Sequence, residues 1–233
     1  MQILPQILPL PAPLSDAQQQ LRQTLPTKPA PVVLSGRFVR MEPYVAARDA
    51  ASLYAISNGS PVTIGDRSVA AYDADALVWR FMGMGPFASL EEFQDFMQRQ
   101  LDAADGLPFT VFDSASNQPV GAFNLMSNSP ANLKIELGNI WYTPAVHRTA
   151  INSEATYLAL KHCFELGYRR VEWKCNSLNE RSRQAALRMG FQFEGIQESH
   201  MIIKNRNRDT AWFRILAHEW QQVKAHLEAL LAR

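Results

Sequence analysis

Cysteine is scarce in this chain of 233 residues: Cys163 and Cys175 stand alone, too few for a disulfide framework and without the further ligands of a zinc cage. Both read as buried, reduced core residues, and no metal is expected. Long apolar runs are also missing. Nothing approaches the roughly 20 residues that a membrane span requires, and the start, MQILPQILPLPAPLS, has neither the basic residues nor the unbroken apolar core of a secretory signal. No membrane partner is expected, and a cytoplasmic location follows. Excess charge of either sign is absent as well, with 23 Lys and Arg against 22 Asp and Glu and no basic run. Without such a field, nucleic acid is not an expected partner.

What remains is an ordinary soluble composition, 47% hydrophobic and 19% charged, long enough for one substantial core. Residues 1–31 carry seven of the fourteen prolines and read as a peripheral extension, with one short helix capped at Ser15 or Asp16. Prolines at this density suit a flexible arm, although Ile3, Leu4, Ile7, Leu8 and Leu10 also suit a strip lying on the domain or against a second copy, as in a homodimer.

The globular part runs over 32–220, and 221–233 is a C-terminal helix or tail. A first strand is expected over Val32–Met41 and a helix over Ala46–Ser57. Asn58–Pro86 mixes Gly, Pro and Asp with aromatics and reads as loop and short helix, its rings either lining a pocket or covering the core. Ser89 and Glu92 have capping-box spacing ahead of a helix whose Leu90, Phe93, Phe96, Met97 and Leu101 share one face. The period then becomes two: Phe109–Phe112 and Pro119–Leu125 form a hairpin, and Leu133–Tyr142 puts Leu133, Ile135 and Leu137 on one face and Lys134 and Glu136 on the other. A helix over Asn152–Leu166, stopped by Gly167, leads into a strand at Arg170–Cys175. That order makes the two flanking strands parallel. A closing hairpin, Ser199–Lys204 with Thr210–Leu216, turns through Asn205–Asp209. The fold class is α+β, a mixed and mostly antiparallel sheet with a central parallel pair, flanked by helices.

Two stretches near that pair carry chemistry. His147-Arg148-Thr149-Ala150-Ile151-Asn152-Ser153 links a strand end to a helix N-terminus, where free N–H groups and the helix dipole suit a phosphate. Asn179 to Phe191, NERSRQAALRMGF, reads as a short helix with an N-cap at Asn179 and a stop at Gly190.

The order strand, loop, helix, strand, followed by Asn179-x-x-Ser182 and Gly190-Phe191-x-x-Glu194-Gly195, resembles the Gcn5-related N-acetyltransferase superfamily, and within it the ribosomal-protein N-terminal acetyltransferase branch. Gly36-Arg37-x-Val39-Arg40, Ile135-Glu136-x-Gly138 and Arg208-Asp209 support the likeness, which covers about residues 36–220. It implies that 32–220 is an acyl-CoA N-acyltransferase domain using acetyl-CoA, with pantetheine wedged where the two parallel strands splay apart. The acceptor would be a primary amine of a small molecule or peptide N-terminus, attacking directly in a ternary complex. The family's pyrophosphate loop reads Gln or Arg, two residues, Gly, one residue, Gly or Ala; here His147, Ala150 and Asn152 stand at those positions, without glycine. The runner-up reading, a non-catalytic CoA-binding or regulatory module on the same fold, follows from that loss.

The resemblance implies that Ile140, Trp141 and Tyr142 offer backbone to the thioester, that Arg148, Thr149, Ala150, Ile151, Asn152 and Ser153 hold pyrophosphate, and that Asn179 and Ser182 reach the pantetheine. Acyl transfer to an amine needs a base and a proton for the departing thiolate. Glu136 is the candidate base, with His200 and Glu198 as alternates, and Ser182 is the candidate near the sulfur. The acceptor pocket is expected to draw on Trp79, Phe81, Phe87 and His200, and the basic set Lys204, Arg206 and Arg208 reads as a solvated turn.

Overall fold

A computed structural model describes residues 10–232 of the chain. Its framework grows from one strongly buried meander: β5 (Leu107–Asp113), whose seven residues are all buried, β6 (Pro119–Ser129) and β7 (Lys134–Tyr142), each antiparallel to the next. β1 (Leu34–Ser35) and β2 (Val39–Pro43) extend the sheet beyond β5. On the other side β7 pairs in parallel with β8 (Arg170–Asn176), followed by β10 (Arg206–Leu216) and, at the edge, β9 (Gln192–Ile203). The eight-stranded order is therefore β1-β2-β5-β6-β7-β8-β10-β9, mostly antiparallel with one central parallel pair, as the element order predicts.

Helices flank this sheet. α2 (Ala46–Ala55) and α3 (Leu90–Asp102) pack on each other and on β6 and β5; the Ser89 hydroxyl accepts from the Glu92 N–H, as its spacing predicts. α4 (Ile151–Glu165) is the crossover between β7 and β8, and α6 (Trp220–Leu231) lies on it, with Phe164 stacked on Trp220 at 5.0 Å. α5 (Glu180–Arg188) packs on β8 and β9. Among the described residues no helix is long and apolar enough to cross a membrane.

The crossover helix is tied to the start of the sheet by one buried carboxylate. Glu154 accepts the backbone N–H groups of Arg37, Phe38 and Val39 at 2.8, 2.6 and 2.8 Å. Gly36 makes room for it, since a Cβ there would stand 2.4 Å from the Glu154 carboxyl carbon. This turn splits the single strand expected over Val32–Met41 into β1 and β2.

The N-terminal extension is held rather than loose over its described part. α1 (Asp16–Thr24) has a capping box between Ser15 and Gln18. Arg22 donates to the Ala131 carbonyl at 2.7 Å, and Leu21 fills the space beside Gly167, which has φ +89°. Asn128 then binds the carbonyls of Pro26 and Thr27 at 2.9 and 2.8 Å, and Lys28 caps the end of α3 through Ala103. Leu10 is exposed, whereas Ile3, Leu4, Ile7 and Leu8 lie outside the described residues.

Other departures lie where hydrophobic alternation is weak. β9 begins seven residues before the expected Ser199 and is exposed along most of its length, so no apolar face marks it. Its turn to β10 is the two residues Lys204 and Asn205, both at positive φ, instead of the longer Asn205–Asp209 loop. Within Asn58–Pro86, β3 (Val62–Ile64) and β4 (Arg67–Val69) form a small separate ribbon.

Removing the charge on Glu154 should loosen the first strands from α4. Glu154→Gln is expected to lower stability by about 2–3 kcal/mol, the scale of hydrogen bonds to a charged group. Urea unfolding measures this, and an unchanged midpoint would remove Glu154 as the tie.

Candidate active site

The parallel ladder between β7 and β8 contains three pairs, Lys134–Arg170, Ile135–Val171 and Glu136–Glu172, and then ends. Both strands continue, β7 to Tyr142 and β8 to Asn176, so they diverge and leave a wedge between them. A bulge shapes the β7 side: Asn139 and Ile140 together oppose Phe123, and Asn139 adopts φ +49°. Such a bulge leaves one residue outside the ladder and bends the strand. Gly138 precedes it, where a Cβ would stand 2.4 Å from the Met126 sulfur. Ile140 is half-buried, and Trp141 and Tyr142 are buried.

At the open end of the wedge the chain turns through His147–Ser153 into α4. Arg148 alone takes the left-handed conformation there, with φ +63°, while Ala150 is right-handed at φ −70°. The backbone path therefore requires no glycine at position 150. Among the described residues, no acceptor reaches the N–H groups of Arg148, Ala150, Asn152 or Ser153. Four free amides at a helix N-terminus make an anion cradle. Ile151 N–H has only the Thr149 hydroxyl at 3.4 Å, and that hydroxyl donates to the Val146 carbonyl at 2.8 Å. Ser153 is buried, and the Asn152 side-chain oxygen is buried with no donor. The backbone N–H groups are thus the free donors here, while the Thr149 hydroxyl is taken up by the Val146 carbonyl. Partial burial holds the His147 imidazole below its ordinary pKa, helped by the charges of Arg181 and Arg148 and opposed by a hydrogen bond to the Tyr142 backbone.

The facing wall is α5. Asn179 caps it, its side-chain oxygen accepting the Ser182 N–H at 3.2 Å, and its amide nitrogen has no acceptor among the described residues. Ser182 accepts the Trp173 indole N–H at 3.0 Å. Gly190 ends the helix at φ +89°, close against Val223. The cap and stop read from the sequence are both present.

Glu136 sits where the ladder ends. It is 2% exposed, accepts the Ser127 hydroxyl at 3.1 Å, and has the Lys174 ammonium at 2.8 Å. Burial raises its pKa above the ordinary carboxylate value, while Lys174 and Ser127 pull it down. Lys174 lies 5.3 Å from the Trp212 ring centre, and the His200 ring is 5.7 Å from Trp212. His200 Nδ1 lies 2.9 Å from the Thr210 hydroxyl oxygen. These residues form one connected patch, whereas Glu198 is exposed. Ser127 and Lys174 escape a reading from sequence alone. Their signal is register: Lys174 shares a strand face with Glu172, the parallel partner of Glu136.

The expected aromatic pocket needs correction. Trp79 is 1% exposed, donates its indole N–H to the Ser57 carbonyl at 2.7 Å, and packs on Phe87, Phe96 and Trp141 at 5.0, 6.0 and 5.2 Å. Phe87 is buried in the same cluster, and Phe81 is half-buried. Trp79 and Phe87 are core, because a continuous aromatic cluster buries more apolar surface than a cleft wall would. The segment meets the site through backbone instead. Its π-helical turn, Asp75–Trp79, receives Arg181 on the Ala76 carbonyl and Lys204 on the Trp79 carbonyl, both at 2.8 Å.

The family model for the acetyltransferase (GNAT) domain matches residues 60–192. A GCN5-related N-acetyltransferase from Brucella melitensis is 38% identical, with a TM-score of 0.77, covering 88% of this chain and 87% of that one. A GNAT-family protein from Chromobacterium violaceum is 32% identical, with a TM-score of 0.77, covering 94% of this chain and 100% of its own. Mycobacterium smegmatis RimJ, solved with CoA-disulfide, shares the fold at 20% identity and a TM-score of 0.62, covering 86% and 93%. No curated protein matches the sequence. The chain belongs to the GNAT acetyltransferases: it is an acyltransferase of the family that uses acetyl-CoA, with the resemblance to the ribosomal-protein branch that its motifs carry.

Core membership of Trp79 has a direct consequence. Trp79→Ala should destabilise the protein by about 3–5 kcal/mol, the range for deleting a buried aromatic. A stable variant altered only in acceptor KM would return Trp79 to the pocket.

Proposed function

We propose that this enzyme transfers an acetyl group from acetyl-CoA to a primary amine by direct attack within a ternary complex. The observation that carries this reading is the placement of Glu136, a buried carboxylate at the point where β7 and β8 part. The residues around the wedge fit acetyl-CoA: four free amides and Arg148 suit the pyrophosphate, and the bulge at Asn139–Ile140 brings β7 backbone to the wedge. Glycine is absent from the loop, yet Ala150 needs none and Arg148 supplies the left-handed turn, which removes the ground for a non-catalytic module.

When bound, acetyl-CoA supplies the activated acyl carbon. The amine nitrogen forms a bond to that carbon as the carbon–sulfur bond breaks. Glu136 takes the proton that the amine sheds, directly or through one water, and its raised pKa suits the task. Lys174 and Ser127 orient the carboxylate. Ser182, anchored by Trp173, can donate a hydrogen bond to the departing thiolate, which takes its proton from solvent. Because a thiol has a pKa near ~8.5, this assistance is modest. Asn179, with its amide nitrogen free, hydrogen-bonds the pantetheine arm.

Two measurements test the reading. Acetyl-CoA should raise the melting temperature, and Arg148→Ala should weaken its binding about tenfold, worth about 1.4 kcal/mol; no shift in wild type would reject the cofactor site. With an amine panel and thiol release as readout, Glu136→Gln should lower kcat by roughly 10²–10⁴-fold, the usual scale for a general base, with acetyl-CoA affinity unchanged. The sign of the pH effect follows from the raised pKa: protonated Glu136 is inactive, so the wild-type rate climbs with pH through a value above 4.5. Deprotonation of the acceptor amine gives both proteins a rising limb of its own, so the variant should lack only the additional fall below the Glu136 pKa, and an additional fall that persists would point to another base.

A further inference from the structure

Arg208 is not the solvated turn residue that its basic neighbours suggest. It is half-buried, its Nε is enclosed by protein, and no hydrogen-bond acceptor among the described residues reaches that atom. No carboxylate among the described residues lies within ion-pair distance of its guanidinium. The nearby acids are already engaged. Asp209 accepts the Ser199 N–H at 2.8 Å and the Asn207 side-chain amide at 2.9 Å, and Glu136 is held by Lys174 and Ser127. An enclosed guanidinium N–H without an acceptor is costly, so one left unpaired beside the proposed reaction site points to a missing anionic partner.

Its position is set by β10. The β8 ladder ends with Asn176 opposite Thr210, and Ser177 N–H then binds the Asp209 carbonyl at 2.8 Å, so Arg208 stands just past the end of β8, where the wedge is open. The irregularity between positions 208 and 210 adds residues to β9, leaving alternation along β10 intact. Arg208 thus shares a face with Thr210 and Trp212, and with Lys174 opposite Trp212. Burial holds the Arg208 pKa below its ordinary value, with Cys175 and Glu136 acting in the opposite sense.

We infer that Arg208 recognises a carboxylate carried by the acceptor beside its amine, so that the substrate class is an amino acid or an acid-bearing peptide rather than a simple alkylamine. This rests on the proposed direct transfer to an amine. The acceptor would present its nitrogen to Glu136 and its carboxylate to the planar fork of Arg208, a pairing that fixes orientation as well as charge.

The test uses product-like ligands, which need no turnover. N-acetylglycine, N-acetylleucine and N-acetylphenylalanine are compared with their carboxamides for binding to the full-length protein, with and without CoA. In wild type the acids should bind at least tenfold more tightly than the amides. Arg208→Gln should erase that ratio while leaving CoA affinity unchanged, and Arg208→Lys should keep part of it; melting curves verify that both variants fold. Equal binding of acids and amides in wild type, including binding by neither, overturns the inference. So does a preference that survives Arg208→Gln. Failure to bind CoA would instead reject the cofactor site, and the acid-to-amide comparison on the free protein would still decide the role of Arg208.

Discussion

The architecture turns on a hydrogen-bond ladder that stops. Three residue pairs join β7 to β8, and beyond Glu136 and Glu172 the two strands separate. Open backbone in a sheet interior is costly unless it gains other partners, and the bulge at Asn139–Ile140 is the local device that turns β7 away from β8. Everything assigned to chemistry borders the resulting gap: free amides at the start of α4, Asn179 and Ser182 on α5, and Glu136 at the vertex.

A wedge of this kind requires stiff walls. Glu154 ties α4 to the first strands through three backbone amides, so the helix whose N-terminus forms the anion cradle is fixed against the sheet from its own first turn. On the far side Trp173, Phe191 and the capped α5 make a packed block, with Trp173 and Phe191 5.5 Å apart. The Asp75–Trp79 turn spans the two sides, since Trp79 packs on Trp141 of β7 while its backbone carbonyls take Arg181 from α5 and Lys204 from the β9–β10 turn. Its aromatic rings serve stability, and its carbonyls serve the link between the halves.

Much of this was legible in the sequence because local signals agreed with the global fold. Asn179 caps α5 with its side chain and Gly190 ends it at positive φ, and the alternation along β7 puts Glu136 on the opposite face from Ile135 and Leu137. Elsewhere the physics was non-local. β9 hides because an exposed edge strand has no apolar face to display. Trp79 looks alike in a pocket or a core until its neighbours Phe93 and Phe96 of α3 and Trp141 of β7 are brought together. Lys174 and Arg208 acquire meaning only from register, which places one on the Glu136 carboxylate and leaves the other without an acid. The missing glycines of the loop mislead for a related reason: the left-handed residue is Arg148, and residue type alone does not announce where the turn falls.

The pairing of Glu136 with Lys174 bears on which amines can react. A carboxylate already neutralised by a neighbouring ammonium exerts little pull on a second one, so the site gathers no protonated amines by field alone. Selection then falls to the fraction of acceptor that arrives uncharged. At pH 7 an α-amino group is uncharged at roughly 10%, whereas a lysine side chain is so at roughly 0.04%. A peptide N-terminus therefore starts with an advantage of about 250-fold over a lysine side chain, before any contact with the protein is made.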